Sequence, residues 1–519
     1  MRIYLFLIIV LLTSLTSCRK DFETVPSNGK LTFSKDTVYL DTVFTGIASS
    51  TYTLKVYNHS DEDINIPSIA LEKGVNSNYR MMIDGMTGEN GKGQIFSNVE
   101  LLANDSLYVF IEQTSDIIDA NPTDLLYTDK ILFDAGSNQQ DVDLVTLIQD
   151  AVFLYPNRTP DGDGGYVYEE LQIGDDPENT IKGFYLDDND PENGDELHFT
   201  NEKPYVIYGY AAVPPAKTLT VDAGARVHFH DQSGIIVANT GSIQVNGGIS
   251  TTDALENEVI FEGDRLEPSF SEIPGQWGTI LLTNGSTNNT FKHLTIKNSS
   301  VGLFIQGQDA TTVQIKNTQI YNSSVAGILA RTGKINGENI VINKAGQYAL
   351  ACTLGGSYDF THCTFANYWS GSRQSPAVLL DNTFFDGETT FVADLAQANF
   401  TNSIIYGPNS IEIGLKKNDA AAFNFDIKYC LIKFADSGNQ FTGTMYDFVK
   451  NPSSKNNIVS NFQTQNDPKF KEAYKNNLHI GLTSSVTGKG DLSYIIAQDI
   501  EGTNRSTPPD LGAYEHLTE

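Results

Sequence analysis

Thr295-Ile-Lys-Asn298, Gln319-Ile-Tyr-Asn322, Ile340-Val-Ile-Asn343 and Thr364-Phe-Ala-Asn367 are short apolar stretches, each closed by an asparagine. The asparagines follow one another at 24, 21 and 24 residues. After the first three comes a second short strand: Val301-Gly-Leu-Phe-Ile305, Ala326-Gly-Ile-Leu-Ala330 and Gln347-Tyr-Ala-Leu-Ala351. Strands this short, recurring at a fixed period, are too brief to make useful hairpins and suit a coil in which each strand pairs with the turns above and below. Asparagine fits the corners, because it tolerates a left-handed backbone and its amide stacks in ladders. A leucine-rich repeat is the competing architecture, but the leucine spacing fails and no helical pattern recurs.

Outward from this core the same rhythm continues. Lys217-Thr-Leu-Thr-Val221, Ala225-Arg-Val-His-Phe229, Ile235-Ile-Val237 and Ser242-Ile-Gln-Val245 precede it, punctuated by Gly224, Gly234, Gly241 and Gly247. Asn402-Ser-Ile-Ile-Tyr406 and Tyr429-Cys-Leu-Ile432 follow it. The coil is therefore expected over 203–519, closed by a C-terminal cap. Asp467-Pro-Lys-Phe470, Gly488-Lys-Gly490, Asp499-Ile-Glu-Gly502 and Pro508-Pro-Asp-Leu-Gly-Ala-Tyr-Glu515 are assigned to covering the exposed strand edges at its end. Residues 31–155 read as short alternating strands, such as Tyr52-Thr-Leu-Lys-Val-Tyr57 and Ser106-Leu-Tyr-Val-Phe-Ile111, which predicts an antiparallel sandwich of immunoglobulin type. Residues 156–202 are acidic and punctuated by glycine and proline, and read as an insertion or linker. The predicted class is all-β: an N-terminal β-sandwich followed by a parallel β-helix.

The N-terminus carries an address. Met1-Arg2, an apolar run from Ile3 to Leu12, and Leu15-Thr-Ser-Cys18 describe a signal peptide over 1–17. The run is shorter than the ~20 apolar residues of a spanning helix. Leu15-Thr-Ser-Cys18 resembles the lipobox of bacterial lipoproteins, which implies lipidation of Cys18 and a tether over 18–30. Arg19-Lys-Asp-Phe-Glu23 resembles a loose form of the export signal of Bacteroidetes surface lipoproteins, which implies an outer-membrane lipoprotein facing the cell exterior, with the periplasmic face as the alternative. Together with Asp41-Thr-Val-Phe-Thr-Gly46 and the terminal motif, these features resemble Bacteroidetes right-handed parallel β-helix repeat lipoproteins of pectin-lyase-like fold. The resemblance implies a single-stranded right-handed β-helix behind an immunoglobulin-like sandwich, and leaves molecular function open.

Composition narrows the function classes. Acidic residues outnumber basic ones 64 to 34, a net charge of −30, which argues against nucleic acid and anionic membrane surfaces. Beyond Cys18 there remain three cysteines, Cys352, Cys363 and Cys430, read as small hydrophobes in a stacked interior, with a Cys352–Cys363 bridge as the alternative. The motifs of polygalacturonases and pectate lyases are missing from the coils. The expected function is non-catalytic binding of glycan or protein by a membrane-anchored β-helix; a divergent polysaccharide lyase or glycoside hydrolase, and a structural spacer, are the alternatives.

The candidate ligand residues are Tyr368, Trp369 and Arg373, in a loop after Asn367, and Arg331, which alternation points outward beside Gln306 and Thr353. His228 and His230, with Asp231, are a two-histidine metal candidate on one strand. Asp188, Asp190 and Glu192 offer alternate carboxylates to Ca²⁺, without the glycine and terminal glutamate of an EF-hand. Trp277 is expected to pack as a lid on the coil.

Overall fold

A computed structural model describes residues 23–516, apart from 90, 122–124, 175–177 and 308–310. The signal segment and Cys18 lie outside the described residues. The described chain is all-β; its one α-helical turn is Asp447–Lys450, and no helix among the described residues is long and apolar enough to cross a membrane. It divides into two compact units, 1–150 and 151–519.

The first unit holds two sheets. Tyr52–Tyr57 lies antiparallel to Ser106–Gln113, which in turn pairs with Tyr79–Ile83. Ile64–Leu71, Leu126–Phe133 and Gln140–Gln149 belong to the other sheet. Alternate residues of both sheets, among them Leu54, Val56, Val109, Ile66, Ile131 and Leu144, bury into one shared core. That alternation is what a sheet with one buried face requires. Thr37–Phe44 departs from the expected antiparallel arrangement. It pairs in parallel with Gln140–Gln149, so this sheet is mixed rather than antiparallel.

The second unit is built on a 25-stranded sheet, compatible with a β-helix-like fold. Glu170–Gln172 lies antiparallel to Thr180–Tyr185; the other strands of this sheet pair in parallel with strands one period away. Ile296, Ile320, Ile342 and Phe365 stand in register at spacings of 24, 22 and 23 residues. Side chains from these strands fill a continuous apolar interior that includes Phe229, Phe261, Trp277, Phe360, Phe365 and Phe400. Trp277 is inside this core, stacked at 4.2 Å on Phe229, with its indole Nε1 donating to the Lys297 carbonyl at 2.7 Å. It is therefore no surface lid.

Register corrects the asparagine repeat by one residue. Asn298 and Asn322 occupy left-handed corners and their amides meet at 3.2 Å, but Lys344, not Asn343, takes the equivalent left-handed position. Asn343 aligns with Tyr321 on the outward side and donates to the Ala473 carbonyl at 2.7 Å. A second corner ladder runs through His293, Asn317, Asn339, His362 and Asn402, all with positive φ. Asn339 donates to Asn317 at 2.9 Å, Asn317 to His293 at 3.0 Å, and Asn402 to His362 at 3.1 Å.

Two further expectations change. The acidic stretch 156–202 is not a linker: Thr180–Tyr185 and His198–Phe199 pair in parallel with Tyr210–Val213 and Thr218–Val221. Phe184, Leu186, Leu197 and Phe199 are buried in the coil interior, so the acidic residues occupy turns between core strands. The C-terminal segment covers a flank rather than the end. Ala473, Leu478, Ile500, Ala513 and Tyr514 pack on outward-facing Tyr321, Val341 and Ala366, while Ile480, Val486 and Leu511 pack on Ile404, Tyr406 and Leu431. Arg505 ties this segment down, donating to Asn339 at 2.8 Å. The apolar interior is continued past the last long strands by Phe434, Tyr446, Phe448 and Val449.

Candidate functional site

Three successive coils place Tyr208, His230 and Asp264 at one corner. Ile207 pairs with Phe229 and Phe229 with Gly263, so the residue after each strand falls in the same column. The His230 amide donates to the Ile207 carbonyl at 3.0 Å and the Asp264 amide to that of Phe229 at 3.0 Å, which extends the ladder one position into the corner. The turn after Tyr208 is made by Gly209, whose φ of +69° a side chain would resist.

This column is a set joined by a tilted ring contact and a hydrogen bond. The Tyr208 and His230 rings lie 4.4 Å apart. Nδ1 of His230 is 2.7 Å from Oδ2 of Asp264, whose side chain is 13% exposed against 48% for the imidazole. That pairing raises the imidazole above the ordinary histidine value, against the opposing effect of burial and of the Lys182 charge. Burial pushes the Tyr208 phenol up to about 12, so it is a neutral donor at any physiological pH. With Nδ1 engaged by Asp264, the other ring nitrogen is left for a ligand.

The corner opens into a cavity of about 600 Å³ whose lining includes Lys182, Tyr208, His230, Asp231, Thr279 and Ser300. Lys182 and Asp231 are exposed at opposite sign. The floor is tight: a Cβ on Gly278 would collide with the Tyr210 hydroxyl. An aromatic face beside neutral hydroxyls and one oriented imidazole suits a polar ring with an apolar face, which is the chemistry of a sugar.

The residues singled out in the sequence have different fates. Arg373 is no surface ligand group. Its side chain is 2% exposed and grips the fully buried Glu412 with two bonds, 2.7 and 2.9 Å. Tyr368 packs against Phe470 and Tyr474 under the C-terminal segment, and Trp369 lies half-buried beside Gly346. Arg331 does face outward, in register with Gln306 and Thr353. His228 is buried against Glu262 at 3.9 Å while His230 turns to Asp264, so the two histidines form no shared metal face.

The carboxylates proposed for Ca²⁺ do not converge either. Asp188 is held by Lys217 at 2.5 Å, and Asp190 accepts the amides of Glu192 and Asn193 in its own turn. Among the described residues, Asp510, Glu515 and His516 are the one trio of metal-type ligands within reach of each other. Their oxygens are already used by Gly488, Ser506, Arg505 and His516 itself, which fits a structural clasp. Cys352, Cys363 and Cys430 are free, buried thiols, and burial pushes that of Cys430 up to about 12; no Cys352–Cys363 bridge forms.

Sequence reasoning noticed His230 but paired it with Asp231, its neighbour in the chain. Tyr208 stands 22 residues before it, one period of the repeat, which is a signal in the sequence; Asp264 stands 34 residues after it, a spacing longer than the period, and only the register shows it.

The chain matches no protein-family model and no curated protein. Among solved structures it is similar over 24% of its length to a family 123 glycoside hydrolase from Clostridium perfringens, at 8% identity and TM-score 0.17, spanning 30% of that enzyme. It is similar over 24% to PapD-like domain 7 of human CEP192, covering 87% of it, at 13% identity and TM-score 0.15. The E. coli chaperone DraB is matched over 28% of this chain and 83% of its own, at 14% identity and TM-score 0.16. Likenesses this slight carry no argument about fold or function.

Proposed function

We propose that the chain is a lipid-anchored outer-membrane protein whose second unit, a right-handed single-stranded β-helix of pectin-lyase type, binds a neutral glycan in the Tyr208–His230 groove. In this reading the first unit is an immunoglobulin-like sandwich, Cys18 carries the lipid, and the protein faces the cell exterior. The observation that carries the binding reading is the Tyr208–His230 ring contact, tilted by 33°, beside a cavity of about 600 Å³. A surface at −30 repels polyanions, so the groove suits an uncharged sugar.

A second reading, a divergent carbohydrate-active enzyme, draws on one observation: an imidazole oriented by a shielded carboxylate at 2.7 Å is the arrangement of a general base. A glycan array probed with the soluble form beginning after Cys18 tests both. Saturable binding to neutral glycans is expected, weakened about fivefold or more in Tyr208→Ala, on the scale of base–aromatic stacking, which contributes on the order of 1–3 kcal/mol. Release of product from a bound glycan, abolished in His230→Ala, would favour the enzyme. Silence across the array, or hits indifferent to Tyr208→Ala, would overturn glycan binding in this groove.

A further inference from the structure

Arg331 is the exception among the arginines of the second unit. Arg226 donates to the carbonyls of Glu258 and Leu255 at 2.6 and 2.7 Å. Arg265 pairs with Glu267 at 2.9 Å, Arg373 with Glu412 at 2.7 Å and Arg505 with Glu515 at 3.4 Å. Arg158 is exposed to water. Arg331 is half-buried and makes no ion pair or side-chain hydrogen bond with any described residue; its buried Nε has no partner, as in Arg373 and Arg505, but those two are held through their other guanidinium nitrogens.

The surroundings hold the guanidinium in place without neutralising it. Its Cζ lies 3.9 Å from the Phe384 ring centroid and 5.1 Å from that of Phe304. Phe304 projects from the neighbouring coil and Phe384 from the hairpin Thr383–Phe385 with Thr390–Val392. That hairpin is braced by Asp381, whose carboxylate accepts the Thr383 amide and hydroxyl at 2.7 Å each. Desolvation without a counter-charge lowers the arginine's affinity for its proton, yet guanidinium remains charged at neutral pH. A partly desolvated charge with unused donors is unfavourable until an anion meets it.

We propose that Arg331 is a binding site for a single carboxylate carried on a body that packs against Phe304 and Phe384. A planar carboxylate matches the guanidinium fork edge to edge. Rings on the flanks leave the fork edge as the way in, and the net charge of −30 opposes a dianion such as phosphate. The site is independent of the Tyr208–His230 groove.

The carboxylate could belong to a sugar acid or to a peptide-like chain end, and titration calorimetry distinguishes them with four probes: D-glucuronate, D-glucose, N-acetylphenylalanine and N-acetylphenylalaninamide. At least one acid is expected to bind saturably while its neutral counterpart does not. Preference for glucuronate assigns a sugar acid, and preference for N-acetylphenylalanine a peptide-like ligand. Arg331→Gln should weaken the bound acid at least tenfold, with Arg331→Lys recovering only part because an ammonium lacks the fork. Phe384→Ala, on the protruding hairpin, should weaken it several-fold, and Tyr208→Ala should leave it unchanged. Equal binding of acid and neutral probes, binding unaffected by Arg331→Gln in a folded variant, or no binding by any probe overturns the proposal.

Discussion

Arg373→Ala is expected to lower the unfolding free energy by about 3–5 kcal/mol, the cost of leaving a buried ion unpaired. The change removes both bonds to Glu412, which is itself fully buried, and the bond from Nη2 to the Asn367 carbonyl at 3.0 Å. The glutamate would keep two amide donors, Ala377 at 2.8 Å and Asn409 at 2.9 Å, too few to hold a carboxylate whose burial already raises its pKa. Glu412→Gln should cost less, since an amide needs no counter-charge. In the double variant Arg373→Ala with Glu412→Gln the loss should fall well short of the sum, because the two residues share one interaction. Urea denaturation of the four proteins measures this. Additive losses would mean that the pair is not coupled as described.

Acidification should destabilise the coil through its corner histidines. His293 is driven down to about 4, chiefly by burial and then by the Lys292 charge. His362 is held well below the ordinary value by burial and by Arg505. Both accept a hydrogen bond at Nε2 from a ladder asparagine, which requires the neutral ring. The unfolded chain takes up these protons near pH 6.5 and the folded chain does not, so stability is complete above that pH and declines as pH falls toward the folded value. For His293 alone the loss by pH 4 comes to about 3 kcal/mol. Asparagine already fills three rungs of this ladder with φ near that of His293, so His293→Asn keeps the corner and removes the proton. Urea midpoints from pH 7 to pH 4 should fall more steeply in the parent than in His293→Asn, with carboxylate effects cancelling between them. Parallel curves would show that His293 does not stay neutral in the folded state.

The period of the second unit was legible because it rests on local pattern. Ile296, Ile320 and Ile342 sit in short apolar stretches closed by asparagine, and their spacing is close to one coil. The one-residue slip at Asn343 was not legible: the coil before it is 22 residues rather than 24, and only the pairing shows that Lys344 takes the corner. The second ladder stayed hidden because histidine and asparagine share it and because 40 residues separate His362 from Asn402. The acidic content of 156–202 masked four buried residues, Phe184, Leu186, Leu197 and Phe199, since composition averages over a segment while burial acts on alternate positions.

The site residues separate for a similar reason. Arg373 sits in a loop, where arginine is ordinarily solvated, and its partner Glu412 is 39 residues onward. A buried pair closed across coils leaves no mark on either local sequence. Arg331 was placed on the outward face by strict alternation, which holds wherever a strand has one side in the core. Its rings were out of sight, because Phe384 comes from a hairpin that the repeat does not predict. Tyr208, His230 and Asp264 needed the coil register before their column could be drawn.

The most direct test of the groove is a titration followed at the histidine side chains. The chain has eight histidines, and ¹³C-labelled imidazoles report each ring separately once His230→Gln identifies its signal. With a neutral glycan selected from the array, the His230 resonance should move progressively and saturate at the binding stoichiometry, while those of buried His293 and His362 stay in place. A glycan that binds the protein while the His230 signal remains fixed would contradict the account and move the binding surface elsewhere on the molecule.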